Sequence, residues 1–191
     1  MLKNLVIHNR SYRSYDENRR VTREELLEFV DLTRFTASGI NRQALKYRIV
    51  WEKEAADALQ ALTKWGAMLP QLQLPPPGKC PTGFIVICRD AAIAPHPNSC
   101  LTDIGIAAQT ILLAAVEKGL GGCMIGNFHP EAVQAQLGLG EDMCPQLIVA
   151  IGKPAEEVRL TAVGADGNTA YYRDENGTHC VPKRSLEDIL L

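Results

Sequence analysis

Residues 102–126 read TDIGIAAQTILLAAVEKGLGGCMIG, and this stretch decides the fold. Apolar side chains fall on nearly every side of its first part, which predicts a long helix that is buried all round. Gly119 supplies the left-handed position at which helices end, so we expect the helix to end near Lys118. The run GLGGCMIG then predicts a short strand. One subunit of this size rarely surrounds a helix, so we expect a second subunit to cover one side.

Composition limits the partners and the location of the protein. The chain has 191 residues, of which 46% are hydrophobic and 22% charged, with a net charge of -2. This length predicts one domain over residues 1–191, and the charge provides no basic surplus for nucleic acid. No signal peptide and no apolar run of about 18 residues is present, so we expect a cytoplasmic protein without a membrane partner. The six cysteines form no CxxC pair and the four histidines are scattered, so we expect no metal site.

Other sequence patterns predict the elements around the long helix. Thr22 and Glu25 have the spacing of a capping box. Helices and strands follow each other without regular alternation, which predicts an α+β fold with a central mixed sheet flanked by helices. The predicted elements are a helix from Thr22 to around Arg34, a strand in 45–52, a helix from Glu54 to about Trp65, buried strands in 83–90 and 146–154, a short helix in 130–138, an extended segment over 170–184 with a turn at 175–177, and a final short helix in 185–191.

Two short basic segments lie at opposite ends of the sequence. They are Arg10-Ser11-Tyr12-Arg13 and Lys183-Arg184. Arginine forms a planar fork of hydrogen bonds to phosphate and serine adds a hydroxyl donor, so the two segments together would suit one phosphate group. Each segment taken alone is more typical of a solvated surface pair than of a phosphate site.

A polar loop and a glycine-rich strand complete the candidate features. The side chains of Ser38, Asn41 and Gln43 could serve the polar edge of a heterocyclic ring, or they could form a plain polar turn. The backbone of 121–126 could contact a flat ring, or it could be a core strand with a glycine turn. No GxxxxGK loop is present, and GLGG follows a helix instead of opening one, which excludes the dinucleotide fingerprint.

The order and spacing of these segments resemble the FMN-dependent nitroreductase family over nearly the whole chain. The matching segments are NRSYRSYD (9–16), SGINRQ (38–43), DIGIAAQTILLAAVEKGLGGCMIG (103–126), AIGKP (150–154) with the following Glu pair, and HCVPKRSLEDIL (179–190). The resemblance implies a nitroreductase-like fold and a homodimer whose long helix is buried at the dimer interface. It also implies two FMN sites between the subunits and the oxidation of NADH or NADPH.

The same resemblance assigns residues to the cofactor. Arg10, Ser11 and Arg13 would bind the FMN phosphate together with Lys183 and Arg184, and Tyr12 would be a further cofactor-binding residue. Ser38, Asn41 and Gln43 match the S-x-x-N-x-Q loop near the isoalloxazine ring, whereas Met124, Ile125 and Gly126 match the segment that lines the flavin from the partner subunit. The chain departs from the family at Ala37 and at Ala44-Leu45, where relatives often have proline and Pro-Trp.

The implied chemistry belongs to the flavin, so no catalytic side chain is assigned. The leading hypothesis is that NAD(P)H reduces FMN and is then replaced by a nitroaromatic, a quinone or a similar flat acceptor. One alternative is an FMN-binding module that stores or senses the cofactor without significant turnover. Another is different flavin chemistry on the same fold, such as reductive dehalogenation or flavin cleavage.

Overall fold

Two sheets and five helices make up the fold. The structure is a computed structural model and describes all 191 residues. The helices are α1 (Leu2–His8), α2 (Arg23–Leu32), α3 (Lys53–Ala61), α4 (Leu101–Glu117) and α5 (Pro130–Gln136), and the strands are β1 (Tyr15–Asp16), β2 (Leu45–Val50), β3 (Gly83–Asp90), β4 (Gly121–Ile125), β5 (Met143–Pro154), β6 (Val158–Ala162), β7 (Tyr172–Arg173) and β8 (His179–Lys183). Short 3-10 turns lie at Thr33–Phe35, Gly39–Asn41 and Glu187–Ile189.

The central sheet is organised around β5. This strand pairs antiparallel with β1, β3 and β4, and β2 extends the sheet beyond β3. The named strands of this sheet all pair antiparallel, so the expectation of a mixed central sheet was wrong, and the one parallel pairing is an isolated bridge between Ser11 and Gly122. A smaller sheet of β6, β8 and β7 follows it, with β6 parallel and β7 antiparallel to β8.

Helices cover both faces of the central sheet. Every residue of β3 is buried, as expected for a strand with two covered faces. Its side chains alternate between two cores, so that Ile85 and Ile87 pack with α2 and α4 whereas Phe84 and Val86 pack with α3 and α5. The predicted α+β fold with a sheet flanked by helices is therefore confirmed.

The long helix α4 ends at Glu117, close to the predicted Lys118, and Gly119 follows the capping residue Lys118 with a φ of 70°. One side of α4, including Ala107, Ala108 and Ile111, is fully buried against the sheet. The opposite side carries the exposed side chain of Leu101 and five half-buried side chains, which are Ile106, Thr110, Leu113, Ala114 and Val116. Within a single chain, one side of α4 is buried, α1 lies near its end at Val116, and much of a largely apolar second side stays uncovered.

Several elements differ from the predictions. The helix α1 and the strand β6 were not predicted. The third helix ends at Ala61 instead of Trp65, and the last predicted helix is a single 3-10 turn. The capping box of Thr22 and Glu25 is present as predicted. No helix has both the length and the apolar character needed to span a membrane.

Candidate functional site

One cavity of about 310 Å³ brings the two basic segments together. Arg10, Ser11 and Arg13 lie on one side of it, and Lys183 at the end of β8 lies on the other. The remaining lining residues are Asn9, Gln109, Leu112, Met124, Tyr171, His179 and Val181. We call this space the basic cavity. Three cations from opposite ends of the sequence therefore face the same volume.

The segment after α1 is fixed to the central sheet by backbone contacts. The amide of Tyr12 donates a hydrogen bond of 3.0 Å to the carbonyl of Gly122 in β4. A side chain at Gly122 would place its Cβ 2.2 Å from the carbonyl oxygen of Ala150 and 2.6 Å from Leu112. Glycine is therefore required for β4 to lie this close to β5 and α4. Of the two interpretations of this strand, the structure favours a core strand.

Arg13 is a buried cation without a carboxylate partner. Its guanidinium donates to the carbonyl of Ser11 at 3.1 Å and to Nε2 of His179 at 3.0 Å, and lies 4.7 Å from the ring centroid of Tyr171. The nearby carboxylate of Glu156 accepts from the backbone amide of Arg13 and pairs with Arg173 instead. Burying an uncompensated charge is costly, so this arrangement favours an anionic ligand.

His179 is held in its neutral form by these surroundings. Burial, together with the smaller effects of the Arg13 and Arg173 charges, lowers the pKa of His179 to about 4. Because arginine can only donate, Nε2 must accept and the ring proton must be on Nδ1, which is buried and has no partner. His179 thus orients the Arg13 guanidinium without adding a competing charge.

The other two cations of the basic cavity, Arg10 and Lys183, have hydrogen-bond donors without a partner. Arg10 donates to the carbonyl of Val6 at 2.8 Å, but its buried Nε has no partner. Burial lowers the pKa of Arg10, and the neighbouring Tyr12 partly opposes this effect. The side chain of Lys183 is exposed and forms no ion pair or hydrogen bond. These unused donors fit a phosphate group.

Some predicted residues do not line the basic cavity. The ring of Tyr12 packs beside Gly121 and its hydroxyl donates to the carbonyl of His8 at 3.1 Å. Arg184 is exposed outside the cavity. In β4 only Met124 reaches it, because the next residue, Ile125, points to the opposite face and is 4% exposed in the core. Gly126 is exposed and also lies outside the lining.

The polar loop forms a second, separate cavity of about 160 Å³. Its lining residues are Thr33, Arg34, Thr36, Ala37, Ser38, Asn41, Gln43, Leu45, Tyr47 and Asp103. This set, which we call the loop cavity, shares no residue with the basic cavity. Within one chain, the predicted phosphate and ring-edge residues therefore lie in different places.

The backbone of this loop is strained. Ile40, Asn41 and Gln43 have φ values of 50°, 54° and 52°, a left-handed conformation that costs non-glycine residues roughly 1–3 kcal/mol each. Asp103 in the first turn of α4 accepts from the Ser38 hydroxyl at 2.7 Å and from the Gly39 amide at 3.0 Å. The Gln43 side-chain amide donates to Oδ1 of Asn41 at 3.0 Å. The loop is thus held in one conformation from both sides.

Sequence reasoning missed the residues that support the two cavities. His179 and Tyr171 appear in the sequence as single residues in a late extended segment, and their contact with Arg13 spans more than 150 residues. Asp103 was assigned no role in the site, although its charge at the start of an otherwise apolar helix was a signal. Gln109, the one amide within that helix, was a second such signal.

The sequence is similar to known proteins over most of its length. The family model described as Nitroreductase family matches residues 7–153. A protein of Methanothermobacter thermautotrophicus named "Putative NADH dehydrogenase/NAD(P)H nitroreductase" is 25% identical over 151 residues, which cover 77% of this chain and 74% of that protein.

Solved structures show the same fold. An FMN-dependent nitroreductase from Clostridium difficile has a TM-score of 0.66 at 23% identity, covering 82% of this chain and 89% of that one. A "putative nitroreductase in complex with FMN" from Exiguobacterium sibiricum has a TM-score of 0.67 at 17% identity, with coverage of 82% and 89%. Since the family match extends from α1 to β5 and covers well over half of the sequence, this chain belongs to the nitroreductase family and is an oxidoreductase of that type.

Proposed function

We propose that this protein is an FMN-dependent oxidoreductase in which NADH or NADPH reduces the flavin and the flavin then reduces a nitroaromatic, a quinone or a similar flat acceptor. The observation that carries this proposal is the basic cavity, where Arg10, Arg13 and Lys183 converge from opposite ends of the chain. Relatives named as FMN-dependent or solved with FMN support the choice of cofactor. On this proposal residues 1–191 form one FMN-binding domain.

The residues of the basic cavity fit the phosphate of FMN. Arg13 has no carboxylate partner, Nε of Arg10 has no acceptor, and the Lys183 ammonium and Ser11 hydroxyl are exposed. A phosphate dianion would accept from these donors and compensate their charge. Charge-assisted hydrogen bonds of this kind contribute about 1.5–3 kcal/mol each, so together they would supply most of the binding energy of the phosphate group. Arg184 and Tyr12 would contribute only at the edge of this site.

The ring of FMN requires the polar loop, which a single chain places in a separate cavity. We therefore propose a homodimer in which the loop of one subunit lies against the basic cavity of its partner. Both cavities border α4, through Asp103 and Gln109, and the uncovered apolar side of that helix is the surface that would pair. Met124 already lines the basic cavity, so we retain 124–126 as the segment beside the flavin.

Asn41 and Gln43 supply complementary groups for the edge of the ring. Their mutual hydrogen bond uses Oδ1 of Asn41 and Nε2 of Gln43. Nδ2 of Asn41 and Oε1 of Gln43 remain as one donor and one acceptor on the exposed loop surface. This pair matches the alternating donors and acceptors of a pyrimidine edge, and a donor there stabilises negative charge on the reduced ring.

Bound FMN would supply the electron transfer, and the side chains of this chain bind and orient it. His179 stays neutral and holds the Arg13 guanidinium in place. The carboxylate of Asp103 accepts hydrogen bonds from the Ser38 hydroxyl and the Gly39 amide of the polar loop. Both of these titratable groups are therefore committed to positioning, which agrees with a reaction that needs no catalytic acid or base from the protein.

The test begins with the visible absorption spectrum of the purified protein before and after FMN is added. We expect a flavin spectrum and saturable FMN binding, followed by NADH or NADPH oxidation that depends on an added nitroaromatic or quinone. Absence of FMN binding would overturn the proposal. Tight FMN binding without oxidation of either nicotinamide would instead favour a storage or sensing role.

A further inference from the structure

Asp103 is a buried carboxylate, 8% exposed, at the start of the most apolar helix of the protein. Its Oδ2 accepts from the hydroxyl of Ser38 at 2.7 Å and its Oδ1 accepts from the amide of Gly39 at 3.0 Å. Both carboxylate oxygens therefore bind the beginning of the polar loop, which lies more than sixty residues away in sequence.

Ser38 passes this contact on to the end of the loop. A serine hydroxyl has one proton, and here Asp103 accepts it. The same oxygen accepts from the backbone amide of Gln43 at 3.0 Å. The hydroxyl is thus occupied as donor and as acceptor, so in this conformation Ser38 closes the loop instead of presenting a free donor to a ligand.

The conformation that results is one that the sequence of the loop does not favour. Ile40, Asn41 and Gln43 all adopt left-handed φ values without being glycine. Such conformations persist only where surrounding contacts over-determine them. Asp103 and Ser38 provide those contacts, because they bind the backbone on both sides of the strained residues.

We infer that Asp103 is a positioning residue for the cofactor, acting through Ser38 to hold the amide groups of Asn41 and Gln43 where the flavin edge binds. This inference rests on the proposed function. Asp103 itself need not touch the cofactor, since both of its oxygens are already bonded to the loop. Its contribution is preorganisation, which reduces the cost of ordering the loop when the ligand binds.

A simpler explanation is that Asp103 only stabilises α4, because an acid in the first turn of a helix interacts favourably with the helix dipole. The two explanations differ in what S38A does. If Asp103 acts on the helix alone, the effects of D103A and S38A on FMN affinity should add in the double variant. If Asp103 acts through Ser38, the two substitutions should not be additive.

The first measurement uses the protein freed of FMN and follows amide hydrogen exchange by NMR. We expect D103A to increase exchange at the amides of Gly39 and Gln43 by roughly tenfold or more, since a charge-assisted anchor is lost. Exchange in β3 should be unchanged. The exchange rates of D103N should lie between those of D103A and the unchanged protein, because the oxygen of the asparagine side chain can still accept a hydrogen bond. It also carries the test if D103A does not fold.

The second measurement is the dissociation constant for FMN. We expect D103A and S38A each to raise it by about tenfold, and the double variant to raise it no further than the larger single effect. T102A is the matched control, because Thr102 is the exposed neighbour in the same helical turn and has no bond to the loop. It should bind FMN like the unchanged protein.

The outcomes separate this inference from the proposed function. Unchanged exchange at Gly39 and Gln43 in D103A, or additive effects of D103A and S38A on FMN affinity, would overturn the role of Asp103 while leaving FMN binding intact. Failure of the unsubstituted protein to bind FMN would overturn the proposed function instead, whatever the exchange rates show.

Discussion

His179 accepts a hydrogen bond from Arg13 only while its imidazole is neutral. Its pKa is lowered from 6.5 to about 4 in the folded protein, first by burial and then by Arg13 and Arg173. Between these values the unfolded chain binds a proton that the folded chain does not. The free energy of unfolding should therefore decrease as the pH falls from about 6.5 towards 4. Above about pH 6.5 the titration of His179 should cause no further change in stability.

The substitution H179Q tests this pH dependence. Glutamine cannot titrate, and its side-chain oxygen can still accept from Arg13. We expect the free energy of unfolding, measured in urea at several pH values from 7.5 down to 4.5, to fall less steeply in H179Q than in the unchanged protein. Parallel curves for the two proteins would show that His179 does not supply this part of the acid sensitivity.

Lys183 is the residue of the basic cavity that can be removed with least damage to the fold, because its side chain is exposed and makes no internal bond. We expect K183A to raise the dissociation constant for FMN about tenfold, as loss of a charge-assisted contact should. Stability should remain within about 0.5 kcal/mol of the unchanged protein.

K46A is the control for this change, since it removes the same charge from an exposed position on β2. FMN titrations of K183A and K46A at equal ionic strength separate a specific contact from general attraction. Equal weakening by both substitutions would mean that Lys183 acts only through net charge.

At the level of elements, β4 connects the basic segment to the core. The carbonyl of Gly122 accepts a hydrogen bond from the amide of Tyr12. A Cβ at Gly122 would lie 2.2 Å from the carbonyl oxygen of Ala150, which cannot move without shifting β5. We expect G122A to lower the free energy of unfolding by about 1–3 kcal/mol or more and to weaken FMN binding as well. Chemical denaturation and FMN titration measure the two effects.

Gly140 offers the matched comparison, because no atom lies within 4 Å of a Cβ placed there. G140A should therefore unfold at nearly the same denaturant concentration as the unchanged protein. Because replacing glycine by alanine at an unstrained position lowers the entropy of the unfolded chain, G140A should if anything be slightly stabilised, and a similar loss of stability in both variants would show that the contact with Ala150 is not the cause.

The elements also show what the sequence could and could not predict. The helix α4 and strand β3 were predicted closely because an unbroken apolar run has few alternatives once it must be buried. Helix α1 has seven residues and none of them is buried, and β6 has five residues and pairs with β8, which is distant in sequence, so the short apolar pattern of each segment does not decide its structure. The strained loop could not be predicted, since its left-handed residues are not glycines and depend on Asp103.

The convergence of Arg10 and Arg13 with Lys183 was expected from the family resemblance, and the structure places the three around one cavity. Their role in binding FMN stays a prediction. The contacts of Arg13 with His179 and Tyr171 could not be derived from spacing, because they join parts of the chain that no local pattern relates.

At the scale of the whole molecule, the uncovered side of α4 predicts pairing of two chains. Light scattering should give a mass of twice 21.0 kDa. We expect L113E to yield monomers that bind FMN poorly, because Leu113 lies on that side of the helix and a charge there cannot be buried.

L27E introduces the same charge on α2, at a side chain that is 41% exposed and borders a different cavity, lined by residues of β2 and α3. It should leave the mass and the FMN affinity unchanged. A dimer that survives L113E, or monomers with full FMN affinity, would show that another surface pairs or that one chain suffices.

The separation of the loop cavity from the basic cavity within one chain has a consequence for how the flavin is retained. If each ligand is completed by two copies, subunit association and cofactor occupancy become linked equilibria governed by mass action. Dilution should then release flavin, and saturating flavin should hold dilute chains together. Protein concentration would thereby set how much of the population carries its prosthetic group.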